Sequence, residues 1–233
     1  MVRLLDIPIP MVDYRKLRVS NFNSETYRHL WLLLYWPVFG LLFLFVERFY
    51  NVESYKIMHC LLDDLIPFCE WFLIPYLFWF VYLVGMHLYT LLYDVDSFRR
   101  MMKYIILTYT AAILIYFLFP TCQQLRPAEF QRDNILVQFI AWFYQFDTNT
   151  NVCPSIHVIG SLAVADAACW SKHLSLRWKF AFIGVAFLIC ISTVFMKQHS
   201  VLDILAALPI CIFGHALCFR KSQSPKIFSL YQT

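Results

Sequence analysis

Three separated stretches of the chain hold the side chains best suited to chemistry. Arg126 and Pro127 lie in TCQQLRPAEF, Pro154-Ser155-Ile156-His157 follows Cys153, and Ser192, Lys197, His199 and Asp203 lie in STVFMKQHSVLD. His199 and Asp203 are four residues apart and share one face of a helix. Asp203 can then hold one imidazole nitrogen and leave the other free to attack, the orienting logic of a catalytic triad. His157 can shuttle a proton, because imidazole titrates near neutrality. Pro154 is placed like a first-turn proline, so Ser155 and His157 open a helix whose free N–H groups and positive dipole end favour an anion. Arg126 can grip phosphate oxygens bidentately and Lys197 can add a point charge. Ser192 has two readings, a phosphate contact or a hydroxyl bonded back to its own helix. The His-x3-Asp spacing is common by itself, and His59 with Asp63 forms a second such pair. The weight lies in the combination and its order.

These residues must be positioned by membrane helices. Of 233 residues, 61% are hydrophobic, 19% aromatic and 15% charged. Soluble domains are about 45–50% apolar and about 25% charged, so a soluble enzyme, a disordered protein and a nucleic-acid binder are all excluded. The remaining class is an all-α polytopic membrane protein. A span needs about 20 apolar residues, and six segments are predicted: 29–46, 69–93, 102–119, 155–170, 176–196 and 201–219. Stretches 55–68 and 134–146 are too short or too mixed to span and read as interfacial or re-entrant. The aromatic residues Trp71, Tyr76, Trp79 and Tyr82 read as packing and interface belt more than as a substrate groove.

Orientation follows from the distribution of the 19 Lys and Arg residues. Clusters such as Arg15-Lys16-Arg18, Arg99-Arg100-Lys103, Lys172-Arg177-Lys179 and Arg220-Lys221 share one side. Arg48, Lys56, Arg126, Arg132 and Lys197 hold the other. Both termini are therefore expected in the cytoplasm, with connections 47–68, 120–154 and 197–200 on the extracytoplasmic or lumenal side. All three chemical stretches then meet at that face. The expected organisation is a cytoplasmic or interfacial arm (1–28), a six-span catalytic domain (29–220) and a cytoplasmic tail (221–233). The first 28 residues hold no apolar core followed by small residues, so no cleavable signal peptide is expected. None of the 8 cysteines is spaced as Cys-x-x-Cys, and Cys122 and Cys153 would pair only if their side is oxidising.

The motifs together resemble those of the type 2 phosphatidic acid phosphatase (PAP2) superfamily: Lys-x6-Arg-Pro, Pro-Ser-Gly-His and Ser-Arg-x5-His-x3-Asp. Here Arg126-Pro127 matches the first, with Phe119 in place of its Lys. Pro154-Ser155-Ile156-His157 matches the second with Ile for Gly, and Ser192-Thr193 with His199 and Asp203 matches the third with Thr for Arg. The resemblance covers roughly residues 70–220. It implies a six-transmembrane-helix bundle with interfacial helices, acting on membrane lipids that carry a phosphate or phosphoryl headgroup. It also implies His199 as a nucleophile that forms phosphohistidine, Asp203 as its orienter, and His157 as the group that protonates the leaving oxygen and deprotonates the acceptor. Arg126, Ser155, Lys197 and Ser192 would face the phosphoryl oxygens, with Lys197 standing in for the absent cations. No cofactor and no metal is expected. Water as acceptor makes a phosphatase, and a lipid alcohol makes a transferase. The bulky third residue of Pro-Ser-x-His is similar to the inositol phosphorylceramide synthase branch, which moves a phosphoryl headgroup onto a lipid alcohol. Two other readings stand beside it: a small transporter using His157, His199 and Asp203 as a proton or ion relay, and an inactive family member that binds lipid phosphates.

Overall fold

In hydrocarbon every backbone N–H and C=O must be satisfied within its own segment, so long apolar runs become helices. The computed structural model describes residues 10–220 and contains eight α-helices among them. They are α1 (Tyr35–Arg48), α2 (Leu61–Leu65), α3 (Leu73–Tyr93), α4 (Val95–Leu118), α5 (Ile135–Phe146), α6 (Ile156–Trp170), α7 (Leu176–Phe195) and α8 (Val201–Cys218). A 3-10 turn extends α1 back to Arg28, and another extends α3 back to Glu70. Residues 1–9 of the expected arm and the whole expected tail, 221–233, lie outside the described residues.

Among the described residues five helices are long and apolar enough to cross a membrane: Arg28–Arg48, Glu70–Tyr93, Val95–Leu118, Leu176–Phe195 and Val201–Cys218. The sixth expected span, α6, has only 15 residues, about 22 Å against a core of about 30 Å. Neighbours explain its shortness. It packs on α3, α4, α7 and α8, and Ile159, Ala163, Val164, Ala167 and Ala168 on it are fully buried. A helix walled in by protein need not reach both membrane faces. Its small residues let other helices approach closely. A Cβ added at Gly160 would lie 2.5 Å from the Tyr109 hydroxyl and 3.1 Å from the Trp79 ring. Beside α6, α4 forms the other half of the core, with Phe98, Met101, Tyr104, Tyr109 and Tyr116 fully buried. Large apolar side chains also cover the outside, among them Leu41 on α1, Val81 on α3, Phe187 on α7 and Ile212 on α8. A lipid-facing surface has that character.

The two ends of the bundle are closed differently. At one end Asp94 caps α4, accepting from the Ser97 N–H at 3.1 Å and hydroxyl at 2.8 Å, and from Ser171 of the α6–α7 turn at 2.6 Å. The described part of the N-terminal arm docks there too, through the Tyr14 hydroxyl on the Leu91 carbonyl at 2.8 Å. At the other end, β1 (Lys56–Ile57) pairs in parallel with β2 (Thr121–Cys122), and Cys122 bridges to Thr150. Two-residue strands leave no alternation in the sequence to read, and the sheet was not expected. It ties three connections into a cover over the start of α6. Stretch 55–68 thus becomes β1 and α2, and stretch 134–146 becomes α5. Asn134 caps α5 by accepting from the Leu136 and Val137 N–H groups, each at 3.0 Å.

Candidate active site

His199 sits in the tight α7–α8 junction. Its N–H and that of Gln198 both donate to the Thr193 carbonyl, at 3.1 and 3.0 Å. The next residue, Ser200, is the N-cap of α8 and forms a capping box with Asp203. Asp203 Oδ2 accepts from the Ser200 N–H at 3.0 Å and from His199 Nδ1–H at 3.1 Å. The carboxylate is fully buried and the imidazole nearly so. A carboxylate only accepts, so it fixes the proton on Nδ1 and leaves Nε2 with its lone pair. Asp203 also accepts the Ser155 N–H on its main-chain carbonyl at 3.1 Å, so one residue orients His199 and anchors the start of α6.

At that start stand Ser155 and His157. Ser155 is the N-cap of α6, fully buried, and its hydroxyl has no partner. His157 follows in the first turn, where free N–H groups collect. Its ring lies between Tyr76 and Trp79 of α3, with centroids 4.6 and 4.5 Å away. The His199 ring is 5.6 Å away, edge-on, and His157 Nδ1 has no partner. Tyr116 holds the turn beneath by donating to the Pro154 carbonyl at 2.6 Å. Cys153 and Cys122 are free thiols. Burial, with Asp203 beside it, pushes the Cys153 thiol up to about 12, and burial raises Cys122 as well.

The expected cations are placed differently. Arg126 reaches the cluster through Gln198, the neighbour of His199, donating to its Oε1 at 2.6 Å. Its other guanidinium bonds go to the carbonyls of Tyr144 (2.9 Å), Asp147 (2.8 Å) and Thr148 (2.9 Å). These are carbonyls at the C-terminal end of α5, where a cation suits the dipole. Burial lowers the Arg126 pKa, opposed by Asp147. Its Nε is buried without a partner. Lys197 is turned away from the cluster, its ammonium donating to the Asp63 and Ile66 carbonyls of the α2 segment. Lys197 has φ 53°, a left-handed backbone conformation uncommon for a residue with a side chain. The Ser192 hydroxyl donates to the Ile189 carbonyl at 2.6 Å, the helix-internal alternative. So the structure brings His199, Asp203, His157 and Ser155 together, sets Arg126 one side chain away, and bonds Lys197 to the α2 segment and Ser192 to its own helix.

Three acids also enter, of which spacing marked only Asp63, as a second His-x3-Asp pair with His59, whose ring instead bonds Asp64 at 2.8 Å. Asp63 accepts from the Ser200 hydroxyl at 2.6 Å and the Val201 N–H at 2.8 Å, clasping the His199 junction from α2. Burial pushes its pKa up, but the bonds from Ser200, Val201 and Cys60 outweigh it and hold the carboxyl below its ordinary value. Asp147, at the end of α5, accepts from the Tyr76 hydroxyl at 3.3 Å and Gln198 Nε2 at 3.1 Å. Burial raises its pKa, against the pull of His199 and Arg126. Glu47, at the end of α1, accepts from Asn151 Nδ2 at 2.8 Å and from the Thr148 hydroxyl. Isolated acids carry no spacing signal, and folding alone brings these two to His199.

Two cavities meet at His157. A cavity of about 580 Å³ lies between α1 and α3, walled by Trp36, Phe39, Phe43, Trp79 and Leu83, with His157 and Asp147 at one end. The aromatic stripe of α3, expected as packing and interface belt more than as a groove, is packed at Tyr76, Trp79 and Tyr82 and also lends Tyr76 and Trp79 to the cavity wall. A second cavity of about 40 Å³ is polar and touches His199, His157, Glu47 and Asp147. Among the described residues no group of three or more His, Cys, Asp or Glu side chains is placed to hold a metal ion. The arrangement suits nucleophilic attack by His199 with proton transfer by His157, beside an anion-favouring helix start and an apolar groove.

No curated protein and no solved structure matches the chain. A family model described as the PAP2 superfamily matches residues 100–226. That stretch is more than half of the 233 residues and takes in Arg126, Ser155, His157, Ser192, Lys197, His199 and Asp203. This mostly helical protein, with helices long and apolar enough to cross a membrane, therefore belongs to the PAP2 superfamily, a family of phosphatases and phosphotransferases.

Proposed function

We propose that the chain is an integral-membrane lipid phosphatase or phosphotransferase that works through a phosphohistidine at His199. The observation that carries this reading is the buried His199–Asp203 pair facing His157 at the mouth of an apolar groove. His199 Nε2 attacks phosphorus, Asp203 stabilises the imidazolium, and His157 gives its proton to the leaving oxygen. In the second half-reaction His157 takes a proton from water or from a lipid alcohol. Ser155, the first-turn N–H groups of α6 and the field of Arg126 stabilise charge on the phosphoryl oxygens. Lys197 and Ser192 act on the shape of the junction, not on the phosphate. In this reading residues 29–220 form one catalytic unit with α6 as a sixth, recessed span. The termini are cytoplasmic and the site is extracytoplasmic or lumenal. A relay for transport would need these residues near the midplane, whereas they cluster at helix starts.

The test is phosphate or headgroup release by the purified protein from a panel of phospholipids, wild type against His199→Ala. Loss of activity to background is expected. Equal rates would remove His199 as the nucleophile.

A further inference from the structure

A second acid–imidazole pair stands at the other end of the bundle. His215 on α8 brings Nδ1 within 3.0 Å of Asp166 Oδ2 on α6. Both residues lie in the last turns of their helices, about 5 Å inside the end where the arm docks. Along α6, Asp166 is about 14 Å from His157, so the pair takes no part in the phosphoryl chemistry. An acid in a membrane helix is expected to face the bundle interior or a partner. This one opens instead onto a face where Leu205, Ile212 and Leu217 are exposed. Asp166 and His215 line a cavity of about 230 Å³, together with Tyr104, Leu162, Leu208, Cys211 and Ile212. A second observation points to an occupant. Tyr104 is fully buried, lines the same cavity, and its hydroxyl has no hydrogen-bond partner, whereas a buried phenol normally finds one.

We propose that this cavity binds a neutral membrane lipid through a free hydroxyl group, at a site separate from the catalytic cluster and independent of the His199 chemistry. The walls select the ligand. A hydroxyl both donates and accepts. One oxygen can therefore take the Tyr104 O–H and give its own hydrogen to Asp166, whose carboxylate has lone pairs beyond the one facing His215. An ammonium group only donates and would leave the Tyr104 hydrogen without an acceptor. A phosphate would bring negative charge to Asp166, and no Lys or Arg lines the cavity to offset it. Water is a poor filling. The volume would hold about seven molecules at about 30 Å³ each, and the walls of Leu162, Leu208 and Ile212 offer them no bond. A lipid alcohol meets both demands, with its hydroxyl on Tyr104 and Asp166 and its apolar body against those walls. Bound there, it bridges α4, α6 and α8 at the end opposite the catalytic cluster.

The experiment uses the full chain in mixed micelles with two photoreactive, alkyne-tagged probes, a sterol and a diacylglycerol. They carry the same hydroxyl chemistry on different bodies. After irradiation the label is mapped to peptides. It is expected on the segments of α6 and α8 that hold Leu162 and Ile212, with one probe or both, and the probe that labels names the source. The untagged parent lipid is expected to compete about tenfold better than its methyl ether, which accepts from Tyr104 but cannot donate to Asp166. Tyr104→Phe removes only the unpartnered hydroxyl and is expected to cut labelling by about three- to tenfold, while His199→Ala labels as the wild type does. Should Tyr104→Phe not fold, the methyl-ether comparison on the wild type reads the same property. Equal competition by the ether, wild-type labelling of Tyr104→Phe, or label no stronger on α6 and α8 than on α7 would overturn the site. Each of these outcomes leaves the phosphohistidine reading standing, since turnover by His199→Ala tests that separately.

Discussion

Asp203 serves the site twice, with its carboxylate and with its main-chain carbonyl. The carboxylate sets the His199 tautomer while the carbonyl pins Ser155 at the start of α6. Asp203→Asn keeps the shape and the carbonyl but offers an N–H where an acceptor is needed. Turnover is expected to fall by about 10³- to 10⁴-fold, as in other triads with this change, while the melting temperature in detergent stays within a few degrees. A loss below about tenfold would mean that Asp203 does not orient the nucleophile. The residue scale is also where the sequence was most readable and most misleading. His-x3-Asp and Pro-Ser-x-His could be read because their geometry is local to a helix start. The partners of Lys197 on α2 could not, because nearness in sequence to His199 gives no direction to a side chain.

At the scale of elements, short pieces hold the long helices in register at the site. The five-residue α2 does so through Asp63, which takes hydrogen bonds from both the cap and the first turn of α8. These bonds favour the ionised carboxylate, so its folded pKa lies below the unfolded value of about 3.9. The stabilisation is then complete above about pH 4 and is lost as pH falls through the lowered folded pKa. Thermal melting of the wild type is expected to drop on acidification through that window, and Asp63→Asn to melt lower at neutral pH with a smaller acid-dependent drop. Identical pH profiles for the two proteins would show that the clasp carries no stability. Hydropathy found the long helices because apolar length is a direct consequence of bilayer thickness. It did not reveal that α6 is the shortest of the six and owes much of its apolar character to burial among helices. It also could not assign α2 or the two-residue strands, which exist only through tertiary contacts.

At the scale of the whole molecule, the chemical residues gather at one end of the bundle and the arm docks at the other. With the proposed orientation, exposed Glu129 of the 120–154 connection lies outside and exposed Cys169 at the end of α6 lies inside. A Glu129→Cys variant in intact cells is expected to react with an impermeant maleimide, and native Cys169 only after lysis. The reverse pattern would invert the topology. The helical character of the chain was legible from hydropathy, because apolar length follows from the membrane. The two cavities were not, because their walls combine α1, α3 and α5, which no motif connects.

The covalent step itself is the sharpest test of the mechanism. Purified protein is mixed with a phospholipid labelled in its phosphoryl group, quenched in base within a single turnover, and mapped by mass spectrometry. The mechanism requires a base-stable, acid-labile label on His199, absent from His199→Ala and accumulating or decaying more slowly in His157→Ala. Full turnover with no covalent label at any time, or a label on another residue, would contradict it.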